Sequence, residues 1–513
     1  MNIWIASMEC AGIAEAGGVK NVTQSLCKTL QSFSHNTTLF IPFYKCTNAD
    51  NVLFEDEMPL ASSVRICDQE AAFIYKRAIS LDGNYNIVFI MHEAFSEKEA
   101  VYTYTSNEEA QNPLHKKGTG HKDTLFMNTL FAKAVAKYVN YLTPEKKPKI
   151  IHCQDASTAM IPLFLENKNI RTVVSIHNAG PAYHHYYANS GEASWYCHII
   201  SEAFDGCLNY DKVEPFLVAY KYGAKLATVS EVYAEELSNP FFDKLTENLS
   251  SIFFSKGIKI TGITNGIDFD RYDPRDTNVS GLPYPFNPKI MDLKGKIKCR
   301  EYFLDKVNTP IQGENGLIKV FGSIEKELPP NAIFIGYHGR FASQKGIDVL
   351  ISSISPILQT FDNVYFISMG QGETELEEKM IDKCREHPGK VLFLNGYEKT
   401  LARLTTVSSD FMAFPSFYEP CGLEDFIANI YASLPVAHRT GGLNKIINKK
   451  TGYTYAPNTS ENLVAALTLA ITTKMENPSK ISKMIVNGFD NVGINYQWNN
   501  VIKNKYLPLY EEN

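Results

Sequence analysis

The stretch AIFIGYHGRFASQKGIDVLISSISPILQTFDNVYFISMG, residues 332–370, decides the fold. Apolar runs at 332–340 and 363–370 enclose a segment of helical period at 346–359. Near-continuous apolar runs are what strands buried on both faces require. A strand, a helix and a second strand make one crossover unit, right-handed in a parallel sheet. The same alternation extends in both directions. Earlier runs lie at 3–7, 37–43, 86–92, 149–155, 171–178 and 224–230, and the later ones at 258–266, 390–397, 410–416 and 434–440. Helical period recurs at 18–31, 123–140 and 398–408. Such alternation predicts an α/β protein built on parallel sheets. About a dozen strands is more than one doubly wound sheet comfortably holds, so two sheets are expected. The irregular stretch 235–260 marks the break, residues 274–288 are rich in Pro and Gly as beside a linker, and 308–331 reads as an insertion loop.

Composition narrows the function. The chain has 513 residues, 44% apolar and 21% charged, with a net charge of −6. That balance is soluble and globular, and it argues against nucleic acid or an anionic membrane held by bulk charge. Aromatic residues make up 12%, which suits sugar-binding surfaces and cores alike. The ten cysteines are scattered, without CxxC pairs or zinc-ligand spacing, so reduced thiols in a cytoplasmic protein are expected. No apolar run approaches the ~18 residues of a membrane span, and the first residues are too short a run for an export signal.

The polar residues that stand out follow predicted strands, where open α/β sheets place their ligands. Gly17-Gly18, in GIAEAGGVKNV, reads either as a turn whose amides meet an anion or as a plain strand-to-helix turn. Arg340 and Lys345 suit a diphosphate, or are simply solvated cations. His177 and Asn178 end an apolar strand, pointing to a site or to a hydrogen-bonded core histidine. Glu419, ahead of Pro420, Cys421 and Gly422, is a ligand for sugar hydroxyls or a helix-capping acid. Gly441-Gly442 repeats the glycine turn after strand 434–440. Together these residues describe an anion pocket with one carboxylate and one histidine, and no metal-ligand set.

Four stretches, GITNGID (262–268), GRFASQKGID (339–348), FPSFYEPCGL (414–423) and LPVAHRTGGL (434–443), resemble in order and spacing the bacterial glycogen synthase and plant starch synthase family. TVSEVYAEEL (228–237) and the tail at 495–510 extend the likeness over nearly the whole chain. The resemblance implies two Rossmann-like domains facing a cleft, the GT-B arrangement. The corresponding divisions are 1–257 for the acceptor side, 258–490 for the donor side, and a C-terminal helix, 491–513, crossing back to the first domain. It implies a retaining glucosyltransferase that moves glucose from a nucleotide sugar, ADP-glucose in preference to UDP-glucose, to the non-reducing end of an α-1,4-glucan. No metal or further cofactor is implied. By the same resemblance Arg340 and Lys345 neutralise the donor diphosphate, and Glu419 holds sugar hydroxyls. Cys421, Gly422 and Leu423 present the loop that meets the sugar, and Tyr397 stacks on the base. Thr440, Gly441 and Gly442 form the phosphate turn, faced by Gly17-Gly18. His177 lies near the reacting carbon, with Asp155 and Asn178 on the acceptor side.

The chain departs from that family at named places. Glu15 stands where lysine is usual, Asn21 where aspartate is, and Ala156-Ser157 where Trp-His follows the acceptor aspartate. Glu214 replaces an asparagine, and Glu424-Asp425 a Thr-Gln pair. The acids are expected to build a network of their own with Lys20, Arg439 or a substrate amine. Two other functions fit these departures: a related retaining transferase with a small acceptor, or a glucan-binding homologue that has lost turnover.

Overall fold

The computed structural model describes residues 1–167, 169–313 and 316–512. It resolves into two compact units, Met1–Asn265 with Trp498–Asn513, and Gly266–Gln497. Each carries its own sheet. No helix among the described residues is long and apolar enough to cross a membrane.

The first unit is a ten-stranded sheet. From one edge its strands are Ile260–Gly262, Lys225–Thr228, Arg171–Ile176, Ile150–Gln154, Asn2–Ala6, Asn36–Pro42 and Asn86–Met91, all parallel. Beyond them an antiparallel extension adds Gln69–Ser80, which pairs both Val52–Phe54 and Leu60–Ile66. The central strands are fully buried, as in Ile150–Gln154. In contrast Gln69–Ser80 alternates buried and exposed positions, the pattern of a strand covered on one face. The closing segment from Trp498 packs within this unit: Tyr510 Oη lies 2.8 Å from His152 Nδ1, and Arg171 donates to the Tyr510 carbonyl at 2.9 Å.

The second unit holds a seven-stranded sheet in the order Lys319–Gly322, Val391–Asn395, Val364–Gly370, Ile333–His338, Phe411–Phe414, Leu434–His438 and Tyr453–Tyr455. Only the edge strand Lys319–Gly322 is antiparallel. Ile333–His338 and Val364–Gly370 are buried at every position, and the helix Ile347–Thr360 connects them. One continuous apolar core fills this unit, and a separate small cluster, Met412, Phe414, Ala428, Ala437, Leu443 and Ile446, lies beneath the loops at the strand ends.

Three expectations are corrected. Strand Ile260–Gly262 was expected to open the second domain, but it pairs with Lys225–Thr228 and ends the first sheet, so the first unit runs to Asn265 rather than to 257. The helix Pro478–Asn495 runs through the expected division at 490, and the return to the first unit starts at Trp498. The stretch 308–331 is not wholly an insertion loop: Lys319–Gly322 joins the sheet, while residues 314–315 lie outside the described residues.

A charge cluster anchors the start of strand Phe411–Phe414. Asp410 takes Arg300 and Lys474, each at 3.0 Å, and accepts the Phe334 amide at 2.8 Å. Burial would raise its carboxyl, but Arg300, Lys474 and Lys296 outweigh that and hold it well below the usual carboxylate range. A depressed native value contributes stability that is present above the unfolded pKa of about 3.9 and lost as pH falls through the native one. Unfolding free energy therefore declines with acid below pH ~4 in the wild type. Chemical denaturation along a pH series should show a shallower decline in Asp410→Asn, and equal slopes would contradict this role.

Candidate active site

The second unit brings most of the predicted residues together. After strand Ile333–His338 the chain makes a short turn, Ser343–Lys345, closed by Gly346 at φ +64°, a conformation that disfavours side chains. A Cβ there would also lie 1.9 Å from the Pro415 carbonyl oxygen. This turn is stitched to the loop after Phe411–Phe414. Phe417 donates its amide to the Gln344 carbonyl at 2.9 Å, and Gln344 Nε2 donates to the Tyr418 carbonyl at 3.2 Å. Lys345 Nζ then meets Glu419 Oε2 at 2.5 Å, and Ser416 Oγ donates to the same oxygen at 3.1 Å. Both side chains of the pair remain partly exposed, 27% for Lys345 and 17% for Glu419.

The loop after Leu434–His438 locks onto the same place. Thr440 Oγ1 donates to the Phe417 carbonyl at 3.2 Å, and the Gly442 amide to the Glu419 carbonyl at 2.8 Å. Gly442 is required by packing, since a Cβ would sit 1.8 Å from the Cys421 carbonyl oxygen. Cys421, Gly422 and Leu423 are half-buried in the loop that leads into the helix Glu424–Ile430. Arg340 is exposed beside this turn and accepts the Tyr337 hydroxyl at its carbonyl. Tyr397, two residues past strand Val391–Asn395, is 39% exposed.

In the first unit His177, Asp155 and Asn178 also converge. Asp155 Oδ1 accepts the His177 amide at 3.1 Å. His177 Nε2 lies 2.8 Å from Gln154 Oε1, and Asn178 Oδ1 accepts the Gly180 amide. Burial pushes the His177 ring down to about 4, so it is neutral near pH 7. Burial raises Asp155 to about 7, with Glu9 adding repulsion against the hydrogen bonds it accepts. Asp155 also holds φ +66°, unusual for a residue with a side chain and a form of strain found at functional sites.

Glu9 was not singled out in the sequence. It is fully buried, and its Oε2 accepts the amides of Ala16 at 3.0 Å and Gly17 at 2.6 Å. The amide of the first glycine turn is thus committed to an internal carboxylate. The signal available was an acid set immediately after an apolar strand.

Each acid that departs from the resembling family has its own cation or histidine. Glu15 accepts the Gly12 amide at 2.7 Å and pairs with Lys20 at 2.8 Å. Glu214 meets His184 at 2.7 Å, both side chains fully buried, and caps the helix Pro215–Lys221 through the Phe216 amide. Glu424 lies 3.0 Å from His338 Nε2. Loss of hydration opposes its ionisation, but His338, Lys345 and Arg403 prevail and lower its pKa. Asp425 lies 2.9 Å from Lys445, with burial lifting its carboxyl to about 6 against that cation. Of the expected partners Lys20 is among these pairs and Arg439 is not. Ala156 and Ser157 are buried in a short turn directly after Asp155.

Comparison with known proteins gives a concordant result. Residues 2–251 match the starch synthase catalytic domain, and residues 323–487 match glycosyl transferases group 1. A glycogen synthase of Thermodesulfovibrio yellowstonii is 27% identical across 99% of this chain and 97% of its own length. One from Lactococcus lactis is 25% identical over the full length of both. The catalytic domain of starch synthase IV from Arabidopsis thaliana, solved with ADP and acarbose, superposes with a TM-score of 0.77 at 22% identity, covering 99% of this chain and 98% of that one. A sucrose-phosphate synthase from Thermosynechococcus elongatus shares the fold at a TM-score of 0.55 and 14% identity, covering 99% of each chain.

Proposed function

The chain is a divergent member of the glycogen and starch synthase family of glucosyltransferases, and from that premise we propose that it extends an α-1,4-glucan at its non-reducing end, with retention, using ADP-glucose in preference to UDP-glucose. The observation that carries the reading is the 2.5 Å Lys345–Glu419 pair, held where three strand-end loops of the second unit interlock. A cation and a carboxylate in contact, bordered by a glycine turn, match the two ends of a nucleotide sugar. The diphosphate takes Lys345 and Arg340, and the sugar hydroxyls take Glu419.

The diphosphate gains charge as it leaves, so cations already aimed at it lower the barrier more than they strengthen ground-state binding. Tyr397 offers its ring to the base. Thr440, Gly441 and Gly442 supply the phosphate turn, whereas in the first unit the Gly17 amide serves Glu9. In the first unit His177, whose ring is neutral near pH 7, is assigned to the glucosyl transfer step, and Asp155 and Asn178 to the acceptor. The preference for ADP-glucose is supported by the starch synthase IV domain solved with ADP and acarbose. We place the protein in the cytoplasm, in line with its ten free cysteines.

The buried Ala156-Ser157 pair, standing where the family carries Trp-His, favours a second reading in which the acceptor is a small sugar. Incubation with radiolabelled ADP-glucose or UDP-glucose, with and without glycogen, separates the possibilities. Label in polymer, greater from ADP-glucose, is the expected result. Transfer to small sugars alone supports the second reading, and glucan binding without any transfer or donor hydrolysis overturns both.

A further inference from the structure

The ammonium of Lys445 is buried, its side chain 4% exposed, and it meets four groups of the loop 421–423 and the first turn of the helix Glu424–Ile430. It donates to the Cys421 carbonyl at 2.6 Å and the Gly422 carbonyl at 2.7 Å. It lies 2.9 Å from Asp425 Oδ1 and 4.5 Å from the centre of the Phe426 ring. Lys445 itself ends the short turn Gly441–Lys445, so the glycine turn and the donor loop are tied through one side chain.

The consequence follows from peptide geometry. In a planar trans peptide the carbonyl and the N–H point in opposite directions. The carbonyl of Cys421 turned toward Lys445 directs the Gly422 amide away from it. The carbonyl of Gly422 turned the same way directs the Leu423 amide away as well. Two successive amides thereby face outward from one buried cation, on a loop whose Gly422 holds φ +67°. We propose that Lys445 is a positioning residue for glucose transfer, holding the Gly422 and Leu423 amides in the orientation that hydrogen-bonds the nucleotide sugar, with Asp425 as its counter-charge. This rests on the donor-loop assignment made under the proposed function. It adds a residue that touches no substrate and explains why an acid occupies position 425.

Lys445→Met removes the donors but strands the Asp425 carboxylate, so a loss of folding would be ambiguous by itself. The double variant Lys445→Met/Asp425→Asn removes both charges and keeps an unbranched side chain of similar length. Its thermal midpoint should return toward wild type, while KM for the nucleotide sugar stays raised by about tenfold or more and KM for glucan does not move. Lys445→Arg keeps the charge, but its planar fork cannot reproduce both carbonyl contacts, so donor KM should rise at least about threefold with the thermal midpoint intact. A double variant that folds with wild-type donor KM, or an Arg variant with unchanged donor KM, overturns the positioning role. Failure of the wild type to transfer glucose from either donor would instead bring down the functional assignment, and this inference with it.

Discussion

Lys345→Ala lowers the turnover of glucose transfer by at least about a hundredfold, with a much smaller change in donor KM. Its ammonium lies at the tip of a turn fixed by Gly346 and by two hydrogen bonds between Gln344 and the loop 417–418. It donates to Glu419 Oε2 at 2.5 Å. An arriving diphosphate offers a second anion to the same cation, and the charge on that anion grows along the reaction. An interaction that strengthens toward the transition state appears in kcat rather than in KM. The pair is partly exposed, so its loss costs folding only about 1 kcal/mol or less. Steady-state kinetics on variant protein with a near-native thermal midpoint provide the check. Turnover within tenfold of wild type would remove Lys345 from the chemistry.

Lys296→Met destabilises the second unit by about 3–5 kcal/mol. The ammonium is buried and donates to the carbonyls of Val407 and Ser409 at 2.8 Å, to the Tyr431 carbonyl at 2.9 Å and to Ser433 Oγ at 2.8 Å. Those acceptors lead into strands Phe411–Phe414 and Leu434–His438, whose far ends carry the Glu419 and Gly442 loops. Burial drives the ammonium pKa well down, with the Asp410 carboxylate opposing that shift, and four oxygens surround the nitrogen. Methionine fills the space yet removes the ammonium's donors from the Val407 and Tyr431 carbonyls, while the Ser409 carbonyl keeps only Ser433 Oγ. At this size the thermal midpoint should fall by roughly 8–15 °C in calorimetry. A drop under about 2 °C would show that the four contacts contribute little beyond packing.

Parts of this architecture were legible in the chain. All of the predicted strand runs exist, because parallel central strands are buried on both faces and appear as unbroken apolar runs. The hairpin strands Leu60–Ile66 and Gln69–Ser80 escaped notice since they are covered on one side, and Ala71, Phe73 and Tyr75 alternate with exposed positions. The division between units was misplaced because Ile260–Gly262 owes its sheet to long-range pairing with Lys225–Thr228, which nothing local specifies. Lys345 and Glu419 could be found because they follow strands. Their companions could not. Lys296 lies among Lys294, Lys298 and Arg300 and looks like part of a solvated face until the fold turns it inward. His184, His338 and Lys445 become partners of Glu214, Glu424 and Asp425 only through tertiary placement.

Chain extension of maltoheptaose tests the central claim most directly. The protein is incubated with maltoheptaose and radiolabelled ADP-glucose, and the products are separated by length and digested with β-amylase, which removes α-1,4-linked maltose from non-reducing ends. The expected result is a ladder of longer oligosaccharides whose label is released entirely as maltose. Label that resists digestion, or no product longer than the starting acceptor, would contradict it.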